Sequence, residues 1–274
     1  MSSLVFQLDQ YLDSLNGAKY IIYALVIALM AIVARKKRWL TVSGSVASIV
    51  SGSIILYIGG FSAFLILTFF FLAGTIIGKC VKREIKSAKK GNERDMAQVF
   101  ANCIPALIAL FIYHLTPYKV PALVAYAASI AEALSDTWAG DFGMLSTTDP
   151  VSIITFTRVP KGISGGVSAK GFAGAMFGSA MIALLYEGTY SPSFASFFII
   201  AISGFLGSVI DSVLGATVQV HYRDRDGFLT EKEGDEKGKF ERVRGIPFID
   251  NDVVNLLSGL FSFSLSFLMS SIVL

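Results

Sequence analysis

The sequence predicts an all-α fold, a polytopic membrane helix bundle of about eight transmembrane helices that form a single domain over residues 1–274. Of the 274 residues 54% are hydrophobic and 16% are charged, and the mean hydropathy is +0.64. A soluble domain carries about 25% charged residues. Several apolar runs approach or exceed the roughly 18 residues that cross a bilayer. The predicted spans are Gly17–Ala34, Leu40–Ile58, Phe61–Gly78, Met96–His114, Val120–Leu134, Gly171–Tyr186, Phe194–Val218 and Val253–Leu274.

Positive charge predicts the orientation of these spans. Four connections, 35–38, 79–95, 135–170 and 221–252, contain 21 of the 23 lysines and arginines. The positive-inside rule places such connections in the cytoplasm. Eight spans then leave both termini outside. We therefore expect an integral protein of the cell (plasma) membrane whose cytoplasmic loops 79–95, 135–170 and 221–252 form an active site.

Two segments outside the spans have a recognisable pattern. Residues 1–16 place Leu4, Leu8 and Leu12 on one helical face and Asp9 and Asp13 on the other, which predicts a short interfacial helix. No basic segment precedes it, which argues against a cleaved signal peptide. The long connection 221–252 alternates in charge, and both a solvated hairpin and a lid over a cytoplasmic site fit that pattern.

Carboxylates are the first group that indicates chemistry. Glu132 and Asp136 are four residues apart and share a helix face, Asp141 follows, and Asp211 lies in the seventh predicted span. Ionisable groups inside spans are costly and usually functional. Like charges at one depth need a cation. Mg²⁺, which prefers oxygen ligands together with substrate phosphates, is the functional interpretation, and pairing with Arg or Lys is the alternative.

The loop after these carboxylates is suited to anions. It combines glycines, whose backbone N–H groups can turn inward, with cations and with the start of the sixth helix, where anions are favoured. It lacks the residue order of a P-loop, because Lys161 precedes the glycines. The phosphate-binding candidates are Arg158, Lys161, Gly162, Ser164, Gly165, Gly166 and Ser168.

Two further polar groups flank apolar spans. The basic segment with Lys79, Arg83 and Arg94 leads into a span with Gln98 and Asn102 four residues apart, which suggests a site for a lipid phosphate. Anchoring to anionic headgroups is the alternative. At the entry of the last span, Asn251 and Asp252 fit helix caps, whereas Asn255 lies one turn deeper. A separate pattern, Gly171, Gly174 and Gly178, predicts close helix packing.

These motifs resemble the integral-membrane family that contains the plant chloroplast phytyl-phosphate kinase. The residues that carry the resemblance are Ser135-Asp136-Thr137-Trp138-Ala139 with Asp141 and Gly143, Gly162 through Ser168 with Gly171, Asp211-Ser212 with Gly215 and Gln219, Asn251 with Asn255, and Arg94, Gln98 and Asn102. More distantly, the order of acidic span, basic glycine loop and acidic span is similar to CDP-diacylglycerol and CDP-archaeol synthases and to phytol and dolichol kinases. The resemblance implies CTP, Mg²⁺ and an isoprenoid lipid substrate.

The leading hypothesis is a kinase that moves the γ-phosphoryl group of CTP onto an isoprenyl monophosphate of phytyl or geranylgeranyl type. The predicted catalytic residues are Asp136, Asp141 and Asp211, as Mg²⁺ ligands, and Lys161. Nucleotide binding also involves Ser135, and Gln219, Asn251 and Asn255 orient polar groups. Membrane lipids are expected partners and nucleic acids are not. Three alternatives remain: a CTP-dependent cytidylyltransferase, an isoprenoid-alcohol kinase, and a transporter of anionic or isoprenoid solutes.

Overall fold

The predicted helical membrane architecture is confirmed. A computed structural model describes residues 4–15, 17–84, 93–190, 193–235 and 237–274. Within those ranges the chain forms eight helices, α1 Leu4–Ser14, α2 Ala18–Lys36, α3 Val42–Glu84, α4 Met96–Leu115, α5 Lys119–Met144, α6 Ala169–Thr189, α7 Phe194–Thr217 and α8 Asn251–Val273. Six of them, α2, α3, α4, α6, α7 and α8, are long and apolar enough to cross a membrane, and in α3 the apolar stretch covers 40 residues. The protein is therefore a polytopic helical membrane protein, and the number of spans and their orientation stay predictions.

Helix α3 is broken at one residue. Gly60 has a φ of 71°, in the left-handed region that favours glycine. A Cβ atom at Gly52 would lie 3.4 Å from the ring of Phe64, so residues before and after the break pack against each other. Asp9 of α1 accepts the backbone N–H of Phe61 at 2.6 Å and so caps the residues after the break. The break falls between the two spans predicted for this region.

The short N-terminal helix is also present. The sequence predicted it over residues 1–16, and α1 covers Leu4–Ser14, while residues 1–3 and 16 lie outside the described ranges. Leu12 is buried in the core. Besides α3, α1 contacts α6.

Helix α5 is the centre of the bundle. Every residue from 124 to 135 is buried, and the helix contacts α3, α4, α6, α7 and α8. A helix that is buried on all sides needs small residues where its neighbours approach, and alanines fill much of this stretch. The same helix carries Glu132, Asp136 and Asp141, so its carboxylates are held by the most enclosed element of the fold.

The contact between α5 and α6 confirms the predicted glycine packing. A Cβ atom at Gly174 would lie 2.6 Å from the carbonyl oxygen of Trp138, and one at Gly178 would lie 3.0 Å from the backbone of Ser135. A side chain at either position would push the helices apart. This close approach sets the start of α6 beside the end of α5.

Short strands occur in two connections. Between α5 and α6, β1 (Val151–Ser152) pairs antiparallel with β2 (Gly166–Val167). Between α7 and α8, β3 (His221–Arg223) pairs with β4 (Leu229–Thr230) and β7 (Glu241–Arg244), and β5 (Gly234–Asp235) pairs with β6 (Gly238–Lys239). The connection 221–252 therefore contains a small antiparallel sheet and a hairpin, with residue 236 outside the described ranges.

Two predicted loop boundaries are corrected. The loop 135–170 was expected to begin at Ser135, but α5 continues to Met144, so Asp136 and Asp141 lie on a helix. Within this additional part of α5, the rings of Trp138 and Phe142 are in edge-on contact, with their centroids 6.0 Å apart. The loop 79–95 was expected to begin at Lys79, but α3 continues to Glu84, and residues 85–92 are not described.

Candidate functional site: an acidic cleft beside a glycine loop

A cleft of about 420 Å³ opens where α5 ends and α6 begins. Its walls come from the last turns of α5, the α5–α6 loop, the first turn of α6, the polar half of α7, and single residues from the 221–252 segment and α8. The structure brings most of the predicted site residues to this cleft. Those that line it are Asp136, Asp141, Lys161, Gly162, Ser164, Gly165, Gly166, Ser168, Asp211 and Asn251.

Carboxylates from α5 and α7 meet at the inner end of the cleft. The side chains of Asp136 and Asp211 lie next to each other. Glu132 lies one turn deeper on α5 and is 2% exposed. Ser258 of α8 links the two levels, because its hydroxyl donates to Glu132 Oε1 at 2.8 Å and lies 3.3 Å from Asp211 Oδ2. Three helices thus converge on one acidic group.

Asn255, predicted to orient polar groups, lies next to the Asp211 carboxylate. With its amide turned so that both ends are satisfied, its nitrogen donates to Asp211 Oδ2 at 2.9 Å and to the Asn251 carbonyl oxygen at 3.3 Å. The predicted caps Asn251 and Asp252 lie inside α8, and Asp250 is the residue that caps it, by accepting the backbone N–H of Val253 at 3.0 Å. Asn255 therefore holds the Asp211 carboxylate from the α8 side.

The donor set of the cleft fits a hard cation. Carboxylate, hydroxyl and amide oxygens are the ligands that Mg²⁺ prefers, and this ion is commonly held by one or two carboxylates together with phosphates and water. Buried carboxylates in contact, such as Asp136 and Asp211, cannot both be ionised without a compensating charge. Across the described ranges, no group of three or more His, Cys, Asp or Glu side chains is arranged to hold a metal ion by itself. A cation here would depend on phosphate oxygens to complete its ligands.

The glycine loop owes its shape to two residues with positive φ. Gly162 has a φ of 82° and Gly165 a φ of 86°. A Cβ atom at Gly165 would also lie 2.5 Å from Ala216 of α7, so backbone conformation and packing both require glycine there. At the end of the loop the Ser168 side chain accepts the backbone N–H of Gly171 at 3.1 Å and caps α6. The loop is therefore pressed against α7 and aimed at the start of α6.

The cations predicted for this loop differ in position. Lys161 lines the cleft and donates to the Ser146 carbonyl oxygen, and Lys170 donates to the Leu145 carbonyl oxygen at 2.8 Å. Both therefore bind carbonyl groups just past the end of α5, where cations are favourable. Arg158 is exposed and does not line the cleft. The structure does not bring Arg158 to the site.

Glu231 is a site residue that the sequence did not reveal. It lines the cleft, and its Oε1 accepts from the Ser164 hydroxyl at 2.5 Å and from the Ser164 backbone N–H at 3.2 Å. A carboxylate thus occupies donors of the loop predicted to bind phosphate. Its surroundings in the sequence, a run of alternating charges, gave no signal. Ser258 was also missed, although serines recur every fourth residue from 258 to 270 along α8, and all four are buried.

Several other predicted residues lie away from the cleft. Ser135 is fully buried and donates to the Ala175 carbonyl oxygen at 2.8 Å, which joins α5 to α6. Gln219 is also fully buried, and neither of its side-chain polar atoms has a hydrogen-bond partner among the described residues. Neither residue lines the cleft. These positions do not support direct contact with a nucleotide.

The described residues that were predicted to bind a lipid phosphate lie on α3 and around the start of α4 and do not line the cleft. Lys79 is 5.0 Å from the Trp39 ring and points toward the Lys37 carbonyl oxygen. Gln98 completes a capping box with Asp95 at the start of α4, and the amide nitrogen of Asn102 donates to the Gln98 carbonyl oxygen at 3.0 Å. The side chain of Arg83 lies outside the part of the chain that is described.

Burial lowers the pKa values of two basic groups outside the spans. Burial lowers the pKa of Arg94, an effect that Asp141 partly offsets. Burial also lowers the pKa of His221, which is near the Gln219 carbonyl oxygen through Nδ1 (3.0 Å) and Arg244 through Nε2 (3.4 Å). Arg244 in turn donates to the Ala216 carbonyl oxygen at 3.1 Å. His221 and Arg244 therefore fasten the small sheet to the end of α7.

Comparison with known proteins gives a consistent assignment. A model of the family described as integral membrane protein DUF92 matches residues 25–263. Protein PGR of Arabidopsis thaliana is 29% identical over 269 residues, which cover 87% of this chain and 92% of that protein. An uncharacterized membrane protein of Methanocaldococcus jannaschii is 33% identical over 201 residues, which cover 70% and 80% of the two chains.

A more distant relative is Protein VTE6, chloroplastic, of Arabidopsis thaliana. It is 23% identical over 228 residues, which cover 80% of this chain and 62% of that protein. No solved structure matches. The family model covers most of the chain, including every residue that lines the cleft. The resemblance deduced from the motifs is confirmed, and the chain belongs to the DUF92 family of integral membrane proteins.

Proposed function

We propose that the protein is a membrane lipid kinase that transfers the γ-phosphoryl group of a nucleoside triphosphate, CTP by preference, onto an isoprenyl monophosphate. The observation that carries the proposal is the pairing of carboxylates with a glycine loop in one cleft of about 420 Å³. Phosphoryl transfer depends mainly on positioning and on neutralising charge. The resemblance to the family of the plant phytyl-phosphate kinase supports the choice of lipid.

Each part of the cleft has a role in this reaction. The loop donors at Ser164, together with Lys161 and the start of α6 at Ser168, would bind the triphosphate, and phosphate oxygens would replace Glu231 on Ser164. Asp136, Asp141 and Asp211 would hold Mg²⁺. When bound, Mg²⁺ supplies charge neutralisation on the phosphate oxygens. Asn255 and Ser258 keep the Asp211 carboxylate in place.

The transfer needs no strong general base. An oxygen of the isoprenyl monophosphate, which is already ionised, forms the new bond to the γ-phosphorus. The bond between that phosphorus and the β–γ bridging oxygen breaks, and the nucleoside diphosphate leaves with the electron pair. The products are an isoprenyl diphosphate and CDP. Among the described residues, those that line the cleft include no histidine, which agrees with this chemistry.

The test is an assay of the purified protein in detergent with CTP, Mg²⁺ and geranylgeranyl or phytyl monophosphate, resolving nucleotide and lipid products. CDP together with a lipid diphosphate supports the proposal. Formation of CDP-lipid and pyrophosphate would show a cytidylyltransferase instead of a kinase. Turnover of the prenyl alcohol but not of the monophosphate would show an alcohol kinase. A folded preparation without nucleotide turnover on any of these lipids would refute an enzymatic role, and solute transport would then be measured in liposomes.

A further inference from the structure

A second cavity is lined by residues of α2, α3 and α4 and by Arg94. It has a volume of about 80 Å³ and is enclosed by α2, both parts of α3, and α4. Most of its lining is aliphatic or aromatic, as with Ile27, Phe64 and Leu67. Ile49, which is 40% exposed, belongs to the same lining, so the cavity reaches the outer surface of the bundle. An apolar cavity with such an opening can admit a lipid chain from the bilayer.

One end of this cavity is cationic. The Arg94 guanidinium lies 5.1 Å from the ring centre of Phe70 and 5.6 Å from that of Phe71, an arrangement that stacks the cation on aromatic faces. The Asp141 carboxylate acts on Arg94 electrostatically, and the ion pairs found among the described side chains do not include Arg94. A guanidinium offers several donors in one plane and matches the oxygens of a phosphate. The cavity therefore combines an apolar chamber with a site for an anionic headgroup.

The cationic end borders the cleft. A Cβ atom at Gly74 of α3 would lie 3.1 Å from Arg94 Nη2 and 3.2 Å from the Thr137 methyl group. One turn further, a Cβ atom at Gly78 would lie 3.0 Å from Asp141 Oδ2. Thr137 and Asp141 both line the acidic cleft. Because Gly74 and Gly78 have no side chains, Arg94 and α5 can both approach this face of α3, and Arg94 lies close to the wall of the cleft.

We propose that this cavity binds the isoprenyl monophosphate, with its phosphate on Arg94 and its first isoprene unit between α2, α3 and α4. The choice of this lipid rests on the proposed function. A cavity of about 150 Å³ accommodates a benzene molecule, so the 80 Å³ available here takes only the carbons of the first isoprene unit that lie next to the phosphate. The remaining chain leaves past Ile49 into the bilayer. The protein then recognises the headgroup and the first unit, and it tolerates different chain lengths.

The direct test is photolabelling of the native protein. The probe is a geranylgeranyl monophosphate analogue with a diazirine on its first isoprene unit, and the labelled residues are mapped by mass spectrometry. We expect labels on cavity residues of α2, α3 and α4, displaced by unlabelled geranylgeranyl monophosphate and much less by geranylgeraniol. Labels confined to α7 or α8, no specific label on folded protein, or equal displacement by the alcohol would each overturn the inference.

A pair of variants on one helix sharpens the result. Ser48→Phe fills the cavity, whereas Ser53→Phe places the same ring at an exposed position outside its lining. We expect Ser48→Phe to raise the KM for the lipid about tenfold or more and to leave the KM for CTP unchanged, and Ser53→Phe to change neither. Equal effects of the two variants on the KM for the lipid would contradict lipid binding in the cavity.

The labelling result and the kinase assay are independent. Labels in the cavity without kinase activity would leave the lipid site standing and refute the proposed reaction. Kinase activity with labels outside the cavity would support the proposed reaction and refute the lipid site.

Discussion

Replacing Glu231 with alanine tests how the glycine loop is used. Glu231 Oε1 accepts two hydrogen bonds from Ser164, one from the hydroxyl at 2.5 Å and one from the backbone N–H at 3.2 Å. Both donors belong to the loop that we propose for the triphosphate. A carboxylate and a phosphate oxygen cannot occupy the same donors, so nucleotide binding must displace Glu231. Removing the carboxylate should make nucleotide binding tighter.

The size of the effect follows from the contact that is lost. A hydrogen bond to a charged group contributes about 1.5–3 kcal/mol. Glu231 is only half-buried, so solvent screening reduces the contribution, and about 1.4–2 kcal/mol for the contact as a whole is the appropriate range. Since 1.4 kcal/mol corresponds to a factor of ten, we expect the Kd of CTP to fall by roughly tenfold to thirtyfold in Glu231→Ala.

The measurement is calorimetric titration of CTP into the detergent-purified protein. Glu233→Ala is the matched control, because Glu233 lies in the same segment, pairs with Lys239 and does not line the cleft. An unchanged Kd in Glu231→Ala would show that the loop donors at Ser164 are not used by the nucleotide. A higher Kd would show that Glu231 itself helps to bind the nucleotide or its cation, and displacement would have to be abandoned.

Three further predictions follow from the site and the fold. Asp211→Asn keeps the side-chain shape and should lower turnover by more than about 100-fold in a protein that is still extracted folded, as loss of a metal ligand would; retained activity would remove Asp211 from the metal site. Gly174→Ala forces a methyl group to 2.6 Å from the Trp138 carbonyl oxygen and should lower the free energy of unfolding by about 1–3 kcal/mol in a denaturation experiment. Gly188→Ala on the same helix is the control, because its methyl group would meet nothing within 4 Å and should not lower the free energy of unfolding. Equal stability of the two variants would contradict the packing argument. Because burial lowers the pKa of His221, the folded protein favours its neutral form, and the resulting stability is present above about pH 6.5 and is lost as the pH falls below that value. The melting temperature of His221→Gln should therefore drop less than that of the unmodified protein as the pH is lowered through this range. An identical drop in the two proteins would refute a role of His221 in the pH dependence of stability.

The sequence predicted the fold class and most of the cleft because both follow from local patterns. Apolar runs of the length of a membrane span, interrupted by basic connections, indicate a helical membrane protein whatever its packing. Carboxylates within a span and a glycine loop beside cations stand out against that background. Asp136, Asp211 and Ser164 could therefore be named before their neighbours were known.

The remaining site residues depend on contacts between distant parts of the chain. Glu231 reaches Ser164 across 67 positions, and Ser258 reaches Glu132 across 126. No local pattern distinguishes Glu231 from the other charges of its segment. Arg158 illustrates the opposite error, since an arginine beside a glycine loop was predicted to bind phosphate, but the pairing near β1 leaves it exposed.

The arrangement of the acidic group links the stability of the bundle to the integrity of the site. Glu132 and Asp211 come from different helices, and Ser258 of a third helix contacts both. Gly207 allows α7 to approach α5 so closely that a Cβ atom there would lie 2.5 Å from Glu132 Cγ. Since the carboxylates keep their positions only while these helices stay in contact, a small separation of α7 or α8 from α5 would disperse them well before the helices unfold. Variants that loosen these contacts should therefore lose the proposed kinase activity under milder conditions than those that remove their helical structure.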